Sequence, residues 1–414
     1  MKRKIAIIIE RADMALGGAE RSAFELAAEM SALGFEADIL AAKGPSPKYG
    51  HRGQAKSKNI HTLCQGKPGR RTGYFTLEKS LIKHLSENRY DIIHSVLPFG
   101  FADVYQPRGG TYIESALRNA ASYQNKLIES YKKLTAFANV RRTILQQAER
   151  KLCKKSDGPI IAALSKYVAQ QFKRYYAVSD ERIVVIANGV KTDKQIDADE
   201  ASKLREQIMR QLAIKEADKP VFFLFVANNF RLKGLAVLLE AMRLAATQEK
   251  TQSVRTALPD KRDAYLIVAG DDRTQKYRQT AKKLGVHEKV VFLGSLRHIQ
   301  NALSIIDVAV LPTFYDPSSR FILEAIAAGK PVITTIFNGA TDLFINNRHG
   351  KVIDAPENIP ALAEAINYFT DTDNIRKASE AIVADNLKEK VSISRVAKQL
   401  ESLYESILQR KGPK

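Results

Sequence analysis

The chain has 414 residues, 45% of them apolar, with ordinary Gly and Pro usage. This predicts a soluble globular protein of two or three domains and excludes fibrous and low-complexity classes. The net charge of +20 is unevenly spread: residues 1–190 hold 31 Lys+Arg against 17 Asp+Glu, a net +14, and the rest hold 34 against 28, a net +6. Such a balance suits an anionic partner, whether nucleic acid, anionic membrane or phosphorylated substrate.

The N-terminus, MKRKIAIIIERAD, places five apolar residues between Lys4 and Glu10. That is too short for a signal peptide or a membrane span, and it reads as a buried first strand. Cys64 and Cys153 are far apart and form no metal-binding or disulfide pattern, which fits a reducing compartment. A loop with Gly17-Gly18 leads into a helix over Ala19 to Leu33, ended by Gly34, and Phe35 to Ala41 is the next strand. This strand–loop–helix–strand opening predicts a doubly wound sheet. The Gly pair fits either a close backbone approach to a ligand or a plain helix-start turn, and it is not a dinucleotide fingerprint.

Residues 43–76 read as exposed loop around a strand near Asn59–Leu63, and Leu77–Leu85 as a helix. Asp91–Ser95 is a strand whose following loop carries His94, Asp103, Arg108 and Gly109-Gly110. Carboxyl-end loops are where open α/β sheets bind ligands. His94 is equally read as a buried, bonded histidine, and Asp103 as a turn cap. Residues 115–155 read as a long helical region, and Arg118 to Lys155 holds ten Lys/Arg and two Glu. Leu127, Tyr131, Leu134 and Phe137 recur at helical spacing within it. Such a segment can lie on an anionic membrane, or be a packed helix with a solvated basic face.

Ile160–Leu164 is another strand, and ERIVVIANGV, with Asn188, precedes a polar linker, so a domain boundary is placed near 191–200. PVFFLFVA, Pro220–Ala227, opens the second domain. The loop NNFRLKG then sets Arg231 and Lys233 at a strand-to-helix junction, where two cations and helix N–H groups suit a diphosphate. AYLIVAG and VVFLG are further strands, the latter running into Gly294, Ser295 and Leu296.

The most informative stretch is Asp307–Thr335, DVAVLPTFYDPSSRFILEAIAAGKPVITT. It reads as strand, polar loop, helix and strand, with Gly329 and Pro331 ending the helix. Ser318, Ser319, Arg320 and Phe321 stand at the helix entry, a natural seat for phosphate. Asp316 and Glu324 lie eight positions apart. Asp316-Pro317 also fits an N-cap with Pro at N1. Glu324 stands among apolar neighbours, where an unpaired carboxylate is costly.

This stretch resembles the E-x7-E signature of family 4 retaining glycosyltransferases of GT-B fold, with Asp316-x7-Glu324 followed by Ala-Gly-Lys-Pro-Val. Four more segments are similar to that family's loops: GGAERS, Asn188-Gly189-Val190, NNFRLKGL and GSLRH. ADVYQPRGG resembles the matching loop of lipopolysaccharide-core glucosyltransferases. The resemblance implies two Rossmann-like doubly wound domains, α/β, facing across a cleft. The first is expected over 1–195, with the C-terminal helix 394–409 returning onto it, and the second over 196–393. It implies Arg231 and Lys233 on the leaving diphosphate, Asp316 on donor-sugar hydroxyls, Glu324 on the ribose and Asp103 as an acceptor-side catalytic group. Gly17, Gly18, Asn188, Gly294, Ser295, Leu296, Ser318, Ser319, Arg320 and Phe321 complete the donor site, and His94 and Arg108 the acceptor side. The family's first acid is usually Glu; Asp is one methylene shorter.

The expected activity is transfer of a hexose from a nucleoside-diphosphate sugar, UDP-linked, to a glycolipid or oligosaccharide with retained configuration. No cofactor and no metal are expected. The expected location is the cytoplasm, at the inner face of the membrane. A transferase acting on a soluble acceptor, of sucrose- or glycogen-synthase type, and a sugar-nucleotide epimerase remain open. A nucleic-acid-binding protein would suit the charge, but no recognition module supports it and no nucleic-acid partner is expected.

Overall fold

The computed structural model describes residues 2–14, 17–44, 59–64, 72–135, 138–253 and 262–412. They form two compact units, one of residues 1–117, 130–191 and 393–414, the other of 118–129 and 192–392.

The first unit begins with β1 (Lys4–Arg11), α1 (Gly18–Ala32), β2 (Glu36–Lys43), β3 (Ile60–Thr62) and α2 (Tyr74–Glu87). It continues through β4 (Ile92–Ser95), β5 (Val104–Tyr105) and α3 (Tyr112–Ala121), whose last turn joins the second unit with the start of α4 (Lys126–Leu134). Then come α5 (Val140–Lys154), β6 (Ile160–Ala163), α6 (Lys166–Tyr176) and β7 (Ile183–Val185). Among the described residues the strands form one sheet in the order β3-β2-β1-β4-β5-β6-β7. Every pairing is parallel, as crossovers through helices dictate. Ile5 to Ile9 of β1 are all buried, so this strand reads as a continuous apolar run rather than an alternation.

The second unit runs through α7 (Ala198–Leu212), β8 (Val221–Val226), α8 (Leu235–Ser253), β9 (Ala264–Ala269), α9 (Thr274–Lys283) and β10 (Val290–Gly294). It proceeds through α10 (Ile299–Ile305), β11 (Val308–Leu311), α11 (Arg320–Ala327), β12 (Val332–Thr335) and β13 (Gly350–Ile353). It closes with α12 (Ile359–Tyr368), α13 (Thr372–Ala384) and α14 (Leu387–Lys390). Its strands form a parallel sheet in the order β10-β9-β8-β11-β12-β13. The last helix, α15 (Ile393–Lys411), belongs to the first unit. Its Val396, Leu400, Tyr404 and Ile407 share one core with Ile5, Ile7, Leu26 and Ile39. These positions recur at helical spacing, which puts one apolar face of α15 against the sheet layer.

Two expectations are corrected. The helical region 115–155 is three helices, because asparagines start new ones: Asn125 Oδ1 accepts from Leu127 N and Ile128 N, and Asn139 Oδ1 from Arg142 N. Residues 118–129 also group with the second unit, although they lie within the first 195 residues. Phe137 and most of the 43–76 loop lie outside the described residues. Among the described residues, no helix is long and apolar enough to cross a membrane.

Candidate active site

In each sheet the strand order reverses once, between β1 and β4 and between β8 and β11. The carboxyl ends of strands at such a reversal are where open α/β sheets hold ligands. In the second unit the two loops that leave β8 and β11 are NNFRLKG and PTFYDPSS, the segments that carry Lys233 and Asp316. Gly234 lets them meet. It sits at φ +83°, and a Cβ there would lie 2.0 Å from Pro312 O. The touching loops are stitched by Phe314 N donating to Leu232 O at 2.9 Å.

Lys233 Nζ donates to Asp316 Oδ2 at 2.7 Å and to Tyr315 O at 2.8 Å. Asp316 is held in turn: its N donates to Phe337 O at 2.9 Å, and its Oδ1 accepts from Ser318 N at 3.1 Å. The N-cap of α11 is Ser319, not Asp316. The carboxylate therefore bonds one turn N–H and one ammonium rather than capping the helix. Sequence reasoning missed Asn338, which is fully buried. Its Oδ1 accepts from Ser319 N at 3.2 Å and Ala340 N at 3.1 Å, and its Nδ2 donates to Thr334 Oγ1 at 3.0 Å. It fastens the helix entry to the end of β12, and the Asn-Gly pair after that strand was the available signal.

Glu324 is buried and does have partners. Lys194 Nζ and Arg320 Nη2 each lie 3.5 Å from its Oε1. Lys194 was also missed, since nothing in a polar linker marks one lysine over its neighbours. Phe321 is packed in the core. Ser295 is exposed and Leu296 half-buried just beyond β10, whose Gly294 carbonyl accepts from Gly270 N at 2.8 Å.

Arg231 departs from expectation. Its Nη1 donates to Asn119 O at 2.8 Å and also bonds Ser122 Oγ, while its guanidinium stacks 3.9 Å from the Tyr123 ring centroid. It thus faces the segment between α3 and α4 and takes no part in the Lys233–Asp316 pair. Beside it lies a cavity of about 220 Å³, lined by Tyr123, Arg231, Lys276, Tyr277 and Phe314 among others.

In the first unit, Gly17 is the N-cap of α1 and Gly18 its first residue, beyond the carboxyl end of β1. Arg108 and Asn188 meet: Arg108 Nη1 donates to Asn188 Oδ1 at 3.1 Å, and Gly189 N donates to the same oxygen at 3.0 Å. Arg395 Nη2 of α15 donates to Asn188 O at 3.1 Å and Ala187 O at 2.9 Å. His94 is fully buried, with Nδ1 2.6 Å from Tyr404 Oη. Burial, with the Arg108 charge nearby, lowers its pKa to about 3, so the ring is neutral. It is a core histidine and is withdrawn from the acceptor side.

Asp103 is also corrected. It immediately precedes β5, and its N donates to Ile93 O at 2.8 Å, near the amino end of β4. Its Oδ2 accepts from Ile93 N at 2.8 Å, and its Oδ1 lies 2.6 Å from Lys411 Nζ. The loop after β4 runs back across the sheet before β5 begins, so Asp103 stands on the amino edge, opposite the ligand-binding ends. It is a structural acid.

Comparison with known proteins agrees with this frame. Residues 16–194 match the model described as Glycosyltransferase Family 4, and residues 205–383 the one described as Glycosyl transferases group 1. The lipopolysaccharide glucosyltransferase WaaG of Escherichia coli K12 is 25% identical over 366 residues, covering 87% of this chain and 88% of that protein. The crystal structure of WaaG superposes with a TM-score of 0.72 at 20% identity, covering 97% of this chain and 99% of that one. The structure of Anabaena HepE in complex with UDP and glucose superposes with a TM-score of 0.68 at 18% identity, covering 98% and 100%. With both halves matched and the Lys233–Asp316 pair at the expected strand ends, the chain belongs to the GT-B glycosyltransferases, family 4 in its first half and group 1 in its second.

Proposed function

We propose that this enzyme moves a hexose from a UDP-linked donor to a glycolipid of the lipopolysaccharide-core kind, with retained configuration, at the inner face of the cytoplasmic membrane. The observation that carries the donor half is the 2.7 Å pair between Lys233 and Asp316 at the reversal point of the second sheet. Cleaving the donor's glycosidic bond leaves negative charge on the diphosphate. An ammonium fixed at that spot stabilises the charge as it forms. Asp316, anchored by Ser318 N and the Phe337 carbonyl, accepts from donor-sugar hydroxyls and holds the sugar in place, which is catalysis by positioning. Glu324 accepts from the ribose. In this reading the chain's own cations meet the leaving-group charge, and no cofactor or metal takes part. The UDP and glucose held by HepE and the glucosyltransferase activity named for WaaG support the donor class. The acceptor is met on the first unit, at the carboxyl edge that carries Gly17, Gly18 and Arg108.

The test is a thermal-shift panel of UDP-, GDP- and ADP-sugars, followed by nucleotide release with lipopolysaccharide-core glycolipid and with soluble glucan as acceptors. Stabilisation by a UDP-hexose and glycolipid-dependent UDP release are expected, with an α-configured donor giving an α-linked product by NMR. Release with soluble glucan alone would move the acceptor to the soluble class. Interconversion of donor sugars without acceptor would make the enzyme an epimerase.

A further inference from the structure

Asp316 is clasped by the turn that follows β12. Its N donates to Phe337 O at 2.9 Å and its O accepts from Gly339 N at 2.8 Å, so the residue between those two, Asn338, forms a parallel bridge with Asp316. The Asn338 side chain is fully buried and reaches the same loop by a second route. Its Oδ1 accepts from Ala340 N at 3.1 Å, which shapes its own turn, and from Ser319 N at 3.2 Å, 19 residues earlier in the chain. Ser319 is the N-cap of α11, yet its side chain accepts no capping bond. Asn338 thus takes up one of the N–H groups that a helix start leaves open.

Asn338 is itself anchored by polar groups. Its Nδ2 donates to Thr334 Oγ1 at 3.0 Å, and that hydroxyl donates to Leu311 O at 2.8 Å. Thr335 Oγ1 donates to Thr313 O at 2.6 Å, and Tyr315 N donates to Thr313 Oγ1 at 3.1 Å. Thr313, Thr334, Thr335 and Asn338 are all fully buried. Apolar side chains would fill this space as well, because a buried hydrogen bond returns little beyond the water bonds it replaces. What the polar bonds add is direction. They converge on the segment 311–316, at whose end Tyr315 O and Asp316 Oδ2 hold Lys233.

We infer that Asn338 is a positioning residue for the transfer step, setting where the Asp316 carboxylate and the entry of α11 stand without itself touching the donor. This rests on the nucleotide-sugar reading above. Ser318 N donates to Asp316 Oδ1 at 3.1 Å and Ser319 N to Asn338 Oδ1, so two N–H groups at the expected phosphate seat act within the protein. Without the Asn338 amide, Ser319 N and Ala340 N each lose an acceptor, and the turn that clasps Asp316 loses its tie to α11. The carboxylate then leaves the place where it meets sugar hydroxyls, and a displacement of about 1 Å there slows transfer tenfold or more. Contacts to the nucleotide made by other residues are spared.

The experiment is a double-mutant cycle of Asn338→Ala and Asp316→Ala, with Asn338→Asp and Thr334→Val beside it. Thermal shift first finds which of UDP-, GDP- and ADP-glucose binds the wild type. The readouts are kcat for nucleotide release, with core glycolipid, glucan or water as acceptor, and Kd for the free nucleoside diphosphate. Asn338→Ala should lower kcat about tenfold or more and leave the diphosphate Kd within about twofold. On the Asp316→Ala background the same change should cost less than about threefold, because the group it acts through is gone. Asn338→Asp keeps an acceptor oxygen and should recover part of the rate. If Asn338→Ala does not fold, Thr334→Val replaces it in the cycle, with a smaller loss that again needs Asp316. The inference is overturned if the folded variant turns over like wild type, if its loss is the same with and without Asp316, or if diphosphate binding weakens as much as kcat. A wild type that binds none of the three sugar nucleotides overturns the donor reading itself, and this inference with it.

Discussion

The guanidinium of Arg231 lies over the ring of Tyr123, with its central carbon 3.9 Å from the ring centroid. Together with the bonds to Asn119 O and Ser122 Oγ, this stack ties residues 118–129 to the loop after β8. Arg231 and Lys233 are two positions apart yet hold different partners, Asn119 and Ser122 for one and Tyr315 and Asp316 for the other. Lys233→Ala should lower turnover at least about tenfold, since one charged contact to a developing anion is worth a few kcal/mol. Arg231→Ala should lower the melting temperature and increase protease cutting between α3 and α4, with a smaller loss of turnover. Steady-state kinetics with limited proteolysis checks both, and equal kinetic defects without extra cleavage would return Arg231 to the diphosphate.

The same reasoning applies at the amino edge of the first sheet. Asp103 bonds Ile93 N and Lys411 Nζ, and Lys411 also donates to Asp91 O at 3.2 Å, so this acid fastens the end of α15. Asp103→Asn should cost about 1–2 kcal/mol of stability while turnover at 25 °C stays within about twofold of wild type. A folded Asp103→Asn protein with turnover down a hundredfold would restore it as a catalytic group.

These two residues show what was legible from sequence and what was not. The apolar runs of β1, β8 and β11, the Gly-Lys-Pro stop after α11 and the Asp316-x7-Glu324 spacing are local signals. They gave the parallel sheets, the loop order and the Lys233–Asp316 neighbourhood. Asp103 misled because its loop is long enough to cross back over the sheet, and strand ends cannot be told apart before β5 is located. β5 has only two residues and leaves almost no period to read. The contacts of Arg231 were not legible because side-chain direction is not in the spacing. Its partners, Asn119 and Tyr123, come from more than a hundred residues earlier in the chain. His94 was settled by Tyr404, 310 residues away.

Two buried groups should give the first unit a pH signature. Glu149 accepts from Tyr105 Oη, Tyr176 Oη and Tyr112 N, and burial raises its pKa from 4.5 to about 7. Between those values the unfolded chain gives up this proton before the folded one, so stability falls as pH rises. His94, beside Arg108, Gln106 and Tyr404, is lowered from 6.5 to about 3, so its contribution rises with pH over that window. From pH 4.5 to 6.5 the two oppose each other. Each contributes at most about 1.4 kcal/mol per pH unit, on the order of 3 kcal/mol across the overlap. Relative to wild type, Glu149→Gln should gain stability from pH 4.5 to 7, and His94→Gln should gain as pH falls from 6.5. Groups common to all three proteins, such as His84 and His349, largely cancel in these differences. Melting curves at half-unit intervals test this, and parallel profiles for all three proteins would show that neither group titrates as described.

The last prediction concerns α4 and the proposed membrane acceptor. Leu127, Tyr131 and Leu134 are 81%, 61% and 69% exposed, and Ile128 joins them on one stripe, with Lys126, Lys132 and Lys133 alongside. An amphipathic helix whose apolar stripe faces solvent can gain both ways at an anionic bilayer. The stripe enters the headgroup layer, and each lysine near the surface contributes on the order of 1 kcal/mol. Arg141 is a poor residue for testing this, since it pairs with Glu10 at 2.7 Å and donates to Thr72 O. The informative variants are Lys132→Glu/Lys133→Glu and Leu127→Ser/Leu134→Ser. In co-sedimentation, wild type should bind vesicles containing anionic lipid, bind neutral vesicles weakly, and release with salt. The charge-reversed variant should lose the anionic preference. The serine variant should keep that preference but bind less at every lipid concentration, because the apolar term is independent of charge. Identical binding by all three proteins would make the stripe an ordinary solvated face and move the acceptor to the soluble class.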